Sequence, residues 1–175
     1  QQIESFKNTF LYFFSFQGLI LYLVTLVFVK SLHELGHAFV SKYFGCRVSS
    51  IGIAFLVFFP FLYTDTSDAW RLRDHKDRLL INFAGILTEL HLALISTFLW
   101  AILPDGGLKS VAFFIATTSW ISSLAINVSP FMRFDGYYVF SDWLKAENLQ
   151  PRSFALARWQ LREILFGFNH PPPED

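Results

Sequence analysis

The chain has 175 residues, of which 53% are hydrophobic, 22 are Phe and only 16% are charged, with basic and acidic side chains in equal number. About a quarter charged is usual for a soluble domain, so this balance suits lipid better than water, and zero net charge gives no bulk attraction for nucleic acid. Cys46 is the one cysteine, which excludes an internal disulfide and a thiolate zinc cage.

Met132 is the only methionine, so residue 1 is not a natural start and the chain is expected to be a piece of a longer one. No basic stretch followed by a small-residue cleavage site marks a leader peptide. Three apolar stretches reach the length of about 20 residues that a bilayer requires. The first is uncharged from Asn8 to Val29; Gln17 and Gly18 mark a break, and the spanning helix is expected from about residue 18 to 44, through "KSLHELGHAF". The segment 47–65 is uncharged from Val48 to Thr64 and rich in β-branched and aromatic residues, with Gly52 near its start and Pro60 interrupting it. It reads as a hairpin or small sheet, and it must lie at the interface or be covered by helices, because unpaired strand edges cannot face lipid. The basic loop "RLRDHKDR", with His75, is expected to be solvated and to face lipid headgroups. Spans at 79–103, holding one charge, Glu89, and at 110–127 follow. "FDGYYVFSDWLKA" reads as a short helix. Residues 147–175 alternate Phe154, Trp159, Leu161 and Leu165 with Arg152, Arg158 and Arg162, as an interfacial amphipathic helix or a lead-in to further sequence does.

The expected fold is thus a mainly α, multi-pass membrane protein: a three-helix core over 1–146 with a small membrane-associated β element between spans one and two, then an amphipathic C-terminal segment. Trp70 and Trp143 suit interfacial anchors. Lys42, Arg47, Arg71, Arg73, Lys76 and Arg78 lie between spans one and two, and Arg133 and Lys145 follow span three, whereas the opposite ends carry Lys7 and Lys109. The basic side is expected to be cytoplasmic, which puts residues 33–37 and Asp135 toward that face.

Within "HELGH", residues four apart on a helix share a face, so His33 and His37 present their imidazoles to one point while Glu34 sits one step round. Two-histidine zinc sites are built this way: zinc lowers the pKa of a bound water to about 7 and the glutamate takes its proton as the water attacks an amide carbonyl. With 5 His and 6 Glu, chance supplies on the order of 0.005 such patterns in this chain. An ionisable cluster inside a membrane helix is costly and functional by default. A catalytic site needs a third protein ligand, and Asp135, Glu89, His91, His75, Asp65 and Asp68 are the candidates.

"HELGH" on a transmembrane helix, followed after two more hydrophobic segments by "NVSPFMRFDG", resembles the site-2 protease family of intramembrane zinc metalloproteases. "KSLHELGHAF", "TDTSDAW" and "RFDGYY" are similar to a bacterial branch of peptide zinc metalloproteases, and the likeness covers about residues 18–146. It implies zinc as cofactor, His33, His37 and Asp135 as its ligands, and Asn127 as a donor to the substrate backbone or the developing oxyanion. The plain alternative for Asn127 is a helix cap. Gly136 would let the backbone turn so that Asp135 re-enters the membrane, and Pro130 would stop span three short of that turn.

Where many relatives carry a small or amide residue, this chain has Glu89, about 16 Å below Arg78 at the rise of a helix. Lys30 lies about 18 Å below Lys42, on the face of His33 and Glu34. Similar depth and opposite charge suggest a buried ion pair beside the metal; the alternative makes Glu89 a ligand and moves Asp135 one layer out. His91 reads as a packing or hydrogen-bonding group, and Asp65 and Asp68 as turn caps of the hairpin, with a hint from the resemblance of a place near the site.

The function these readings favour is a zinc-dependent endopeptidase, with Glu34 as base, cutting membrane-embedded or membrane-associated substrates in a bacterial cytoplasmic membrane, its site toward the cytoplasm. The hairpin would bind an unwound substrate as an added strand. Partners would be the bilayer, a membrane protein or peptide substrate and an export or regulatory component, with no nucleic acid. A non-catalytic scaffold or peptide-export accessory subunit retaining a zinc site is the alternative, against which stands Glu34, which such a site does not need. A metal transporter would string several ligand groups across the membrane, and only one cluster exists here.

Overall fold

The computed structural model describes residues 15–56, 59–129, 132–146, 148–168 and 170–173. The expected uncharged start at Asn8, and Pro130, lie outside the described residues. In chain order the elements are α1 (Phe16–Tyr43), β1 (Ile51–Leu56), β2 (Phe59–Thr64), a 3-10 turn (Ser67–Arg71), α2 (His75–Ile102) and α3 (Gly107–Trp120), which continues as a π-helical segment (Ile121–Asn127), then α4 (Asp135–Trp143) and α5 (Leu149–Phe166). Three helices, Phe16–Tyr43, His75–Ile102 and Gly107–Asn127, are long and apolar enough to cross a membrane. A mainly helical membrane fold with a small sheet between spans one and two is what the sequence led us to expect.

Helix boundaries follow from their caps. Ser15 Oγ accepts from the Gly18 amide at 3.0 Å, so α1 starts ahead of the expected break and absorbs Gln17 and Gly18. The Asp74 side chain accepts from the Lys76 amide, and Asp77 sits in the first, electropositive turn. That makes His75–Arg78 helical, in place of the solvated loop expected from their charge.

The first two helices bury matching stripes. In α1 the buried positions Thr25, Val29, His33, His37 and Ser41 are each four apart; in α2 Ile81, Gly85, Glu89 and Ala93 repeat the same spacing. Four residues make slightly more than one turn, so each set forms a single ridge, and the ridges meet in reverse order with Lys30 beside Glu89 and His37 beside Ile81. The remaining faces are apolar and exposed, as at Leu19, Leu23, Val27, Ile95 and Phe98. In lipid such a contact rests on close van der Waals fit at small residues rather than on hydrophobic exclusion. Accordingly a Cβ on Gly36 would stand 2.3 Å from Thr88 Oγ1. Helix α3 packs against both α1 and α2.

Strands β1 and β2 pair antiparallel, Ile51 opposite Thr64 through Leu56 opposite Phe59. Pro60 lies inside β2, opposite Phe55, and does not end it; a two-stranded sheet has only edge strands, which tolerate proline. Strand β2 packs against α1, fastened where Thr64 Oγ1 donates to the Glu34 carbonyl at 2.9 Å. Asp65 accepts from Ser49 Oγ and from the Ser67 amide two residues on, a turn cap as expected, while Asp68 accepts from the Arg47 amide at 2.8 Å and so ties the turn after β2 to the chain ahead of β1 instead of capping its own turn.

Gly136 serves a different end from the one expected. A Cβ there would strike the Asn127 carbonyl oxygen at 2.3 Å and Val128 backbone atoms at 2.7 Å. Bare backbone at this position, rather than a special turn, lets the start of α4 lie against the end of the third span. His75 adds a second tie, its Nε2 donating to the Asp142 carbonyl while Arg78 Nη2 donates to its Nδ1 at 2.8 Å. Helix α5 buries none of its residues; Phe154, Leu161, Ile164 and Leu165 are exposed along it.

Candidate metal centre

Three donor atoms converge beneath the start of α4. His33 Nε2 and His37 Nε2 are 3.2 Å apart, and Asp135 Oδ2 lies 2.9 Å from the first and 3.4 Å from the second. Both histidines are buried, and Asp135 is half-buried. The two imidazoles come from consecutive turns of α1; Asp135 arrives from the first turn of α4, set there by the close seat of Gly136.

Each imidazole is fixed from behind by α2. His37 Nδ1 donates to the Ile81 carbonyl at 2.8 Å, which leaves the lone pair on Nε2 facing the cluster. His33 Nδ1 lies 3.0 Å from Glu89 Oε1. Asn127 Nδ2, at 3.5 Å, is too distant to compete for that nitrogen, so Nδ1–H donates to the carboxylate and the His33 Nε2 lone pair also faces inward. Between these two contacts, a Cβ on Gly85 would stand 2.4 Å from His33 Nε2 and 2.5 Å from His37 Nε2. The rings occupy the space that any larger residue would take.

These residues fit a metal ion. Four donors arranged tetrahedrally at 2.0–2.1 Å from a zinc ion stand about 3.3 Å from one another, close to the three separations seen here. Two imine lone pairs and a carboxylate oxygen aimed at one point repel unless something positive lies between them. Asp135 Oδ2 is itself buried with no hydrogen-bond partner, although it is close to both rings.

The cluster opens into a cavity of about 590 Å³ lined by Glu34, His37 and Asp135, by Leu62, Tyr63 and Thr64 of β2, and by Asp65, Ser67, Asn82 and Tyr138. Asp65 is at its rim; hydrogen bonds from Ser49 and Ser67 hold its carboxyl down to about 2. Asn127 is brought to the cluster but does not line the cavity: it is buried, and its Nδ2 donates to Glu89 Oε2 at 3.0 Å. Lys30 Nζ donates to Glu89 Oε1 at 2.7 Å, the ion pair anticipated from helix depth. His91 is exposed and bonds the Leu87 carbonyl one turn back, away from the cluster, and His75 joins helices.

The model of Peptidase family M50 matches residues 19–124 of this sequence. The chain belongs to Peptidase family M50. Its members are zinc metalloproteases, so family and donor geometry agree on the class of protein: a peptidase, multi-pass in the membrane, with a place for a metal ion. No curated protein and no solved structure matches the chain. The matched stretch of this M50 chain holds His33, Glu34, His37 and Glu89 but stops short of Asn127 and Asp135, whose placement rests on the fold alone.

Ile81, Gly85 and Ser122 were missed in the sequence. A backbone carbonyl leaves no trace there, and the glycine announced only small size; Gly85 would have been found had its four-residue spacing to Ile81 and Glu89 been read as a ridge facing the two histidines.

Proposed function

We propose that this M50 chain is a zinc-dependent endopeptidase in which His33, His37 and Asp135 hold the metal and Glu34 is the general base. The observation that carries this reading is the convergence of three ligand atoms, all within 4.8 Å of one another, at the wall of a cavity that Glu34 also lines. A zinc ion held there supplies Lewis-acid activation of water and of the scissile carbonyl. Glu34 takes the proton of the attacking water on its carboxylate and returns it to the departing amine. The backbone carbonyl of the same residue is tied to Thr64, which steadies the base relative to β2.

The outer edge of β2 carries no further strand among the described residues, and Leu62–Thr64 of that strand border the cavity. A substrate segment laid along this edge would present its amides to Glu34 in extended form. Helical substrates must unwind to do so, since a spanning helix keeps its amides internally bonded. We therefore assign the protein to membrane-embedded or membrane-associated substrates, and, on the basic loops flanking the site, to the cytoplasmic side of a bacterial membrane.

The test is purified protein in lipid nanodiscs, assayed for bound zinc and for cleavage of a transmembrane peptide. Glu34→Gln is expected to keep one zinc per chain and to lose cleavage by several orders of magnitude. Retained proteolysis in that variant overturns the mechanism; wild-type protein that binds zinc yet cleaves no membrane peptide supports the scaffold alternative.

A further inference from the structure

Glu89 is 0% exposed, and polar groups of four residues converge on its carboxylate. Its Oε1 receives Lys30 Nζ at 2.7 Å, Ser122 Oγ at 3.1 Å and His33 Nδ1 at 3.0 Å; its Oε2 receives Asn127 Nδ2 at 3.0 Å. We propose that Glu89 is a positioning residue for the metal ligand His33, and that Lys30, Ser122 and Asn127 exist to hold Glu89 in that task. The proposal rests on the metal reading above and deepens it.

Glu89 reaches His33 at Nδ1, the ring nitrogen turned away from the cluster, and it is not among the three residues whose ligand atoms converge. It therefore acts on the ion through the imidazole. A carboxylate accepting Nδ1–H selects the tautomer with a bare Nε2, fixes the ring plane and makes Nε2 a stronger donor. His37 gets the first two effects from the neutral Ile81 carbonyl. Only His33 has an anion behind it.

Stability does not explain the arrangement. A buried ion pair replaced by apolar residues of similar volume commonly leaves a protein as stable or more so, and lipid makes the charged version still more costly. The local winding of the third span points the same way. Ser122 and Asn127 are five residues apart, which in an α-helix puts them about 140° apart around the axis. In the π-helical segment Ile121–Asn127, where the Val128 amide bonds the Ser123 carbonyl five residues back, both reach the same carboxylate. The irregular turn thus closes the shell around Glu89.

The test measures zinc affinity by competition with a chromophoric chelator, and the absorption spectrum of the cobalt(II)-substituted protein, in nanodiscs. The variants are Glu89→Gln, Lys30→Met and the pair together. Glu89→Gln should still bind one zinc per chain, about 10–100-fold more weakly, with altered cobalt bands. The double variant, which removes both charges, should melt no lower than wild type and still bind zinc weakly. A purely structural ion pair predicts the opposite, affinity returning with stability, and that result overturns the proposal. Glu89→Gln protein that takes up no zinc at saturation makes Glu89 a ligand and overturns it as well. Failure of the wild type to bind zinc is a separate result, which removes the metal reading itself.

Discussion

Gly85→Ala is the sharpest probe of the metal cradle, because it changes no donor atom. The added methyl carbon would lie 2.4 Å from both Cε1 and Nε2 of His33 and 2.5 Å from Nε2 of His37, where ordinary contacts begin near 3.4 Å. Both rings must therefore recede by about 1 Å, roughly five times the ±0.2 Å within which zinc–donor distances vary. A displacement of that size should lower zinc affinity by on the order of 100-fold, the loss that follows when ligand-orienting contacts are removed. The packing cost should be about 1–3 kcal/mol, as for other overfilled interiors. Gly36→Ala is the matched control: it overfills the same helix pair, but its methyl meets Thr88 Oγ1 and the Ala84 carbonyl instead of the rings. Chelator competition and thermal melts on both variants separate the effects. We expect a similar drop in melting temperature for the two and a large loss of zinc only for Gly85→Ala. Equal loss in both would mean that helix separation, and not ring displacement, governs the site, and the cradle argument would fail.

Gly136→Ala should weaken zinc binding as strongly as removing a ligand, because relief of its 2.3 Å clash with the Asn127 carbonyl lifts α4 and carries Asp135 away; isothermal titration with zinc reads this directly, and unchanged affinity would mean that Asp135 is placed by something else. Asn127→Ala separates the two roles open to that residue. Acting through Glu89, it lowers zinc affinity several-fold; acting on substrate, it lowers kcat and leaves affinity alone, and we expect the first. The turn held by Asp65 should respond to acid in a defined direction. Its carboxyl titrates near 2 in the folded chain against about 3.9 in an unfolded one, so the contribution is complete above about pH 4 and is lost as pH falls through 2. Hydrogen exchange at Ser67, corrected for intrinsic rates, should rise over that interval in wild type and be pH-independent in Asp65→Asn.

What could be read from the sequence depended on how far apart the cooperating residues are. His33, Glu34 and His37 lie within one and a half turns, so helical geometry alone places them. Lys30 and Glu89 sit on different helices, yet a membrane fixes depth, and the constant rise per residue turned two chain positions into one height. Asp135 had no such ruler: six side chains competed for the third ligand, and only resemblance ranked them. The error over His75–Arg78 had a local cause, since four titratable residues in a row look like a solvated loop until Asp74 is recognised as a cap and Arg78 as the partner of Asp142. Gly136 was singled out for the freedom of its backbone to turn, whereas the structure uses its lack of a side chain. A turn and a backbone crossing both demand glycine, and a sequence does not distinguish them.

Charge balance explains why a lysine is tolerated so deep. Lys30, Glu34, Glu89 and Asp135 together carry one positive and three negative charges, and both histidines are neutral when their Nδ1 protons are donated backward. The residues alone leave the cluster at minus two, in a region where uncompensated charge is expensive. One divalent cation closes that balance, and two imidazoles with a carboxylate are the donor set that zinc accepts. Cys46, the one thiol, packs instead with Ala69 and Ile81 and adds nothing to it. Without Lys30 the occupied site would carry a net negative charge, and without Glu89 a net positive one. The pair therefore leaves the total unchanged while placing its negative end behind His33, so the orienting carboxylate is gained with no net charge left in lipid.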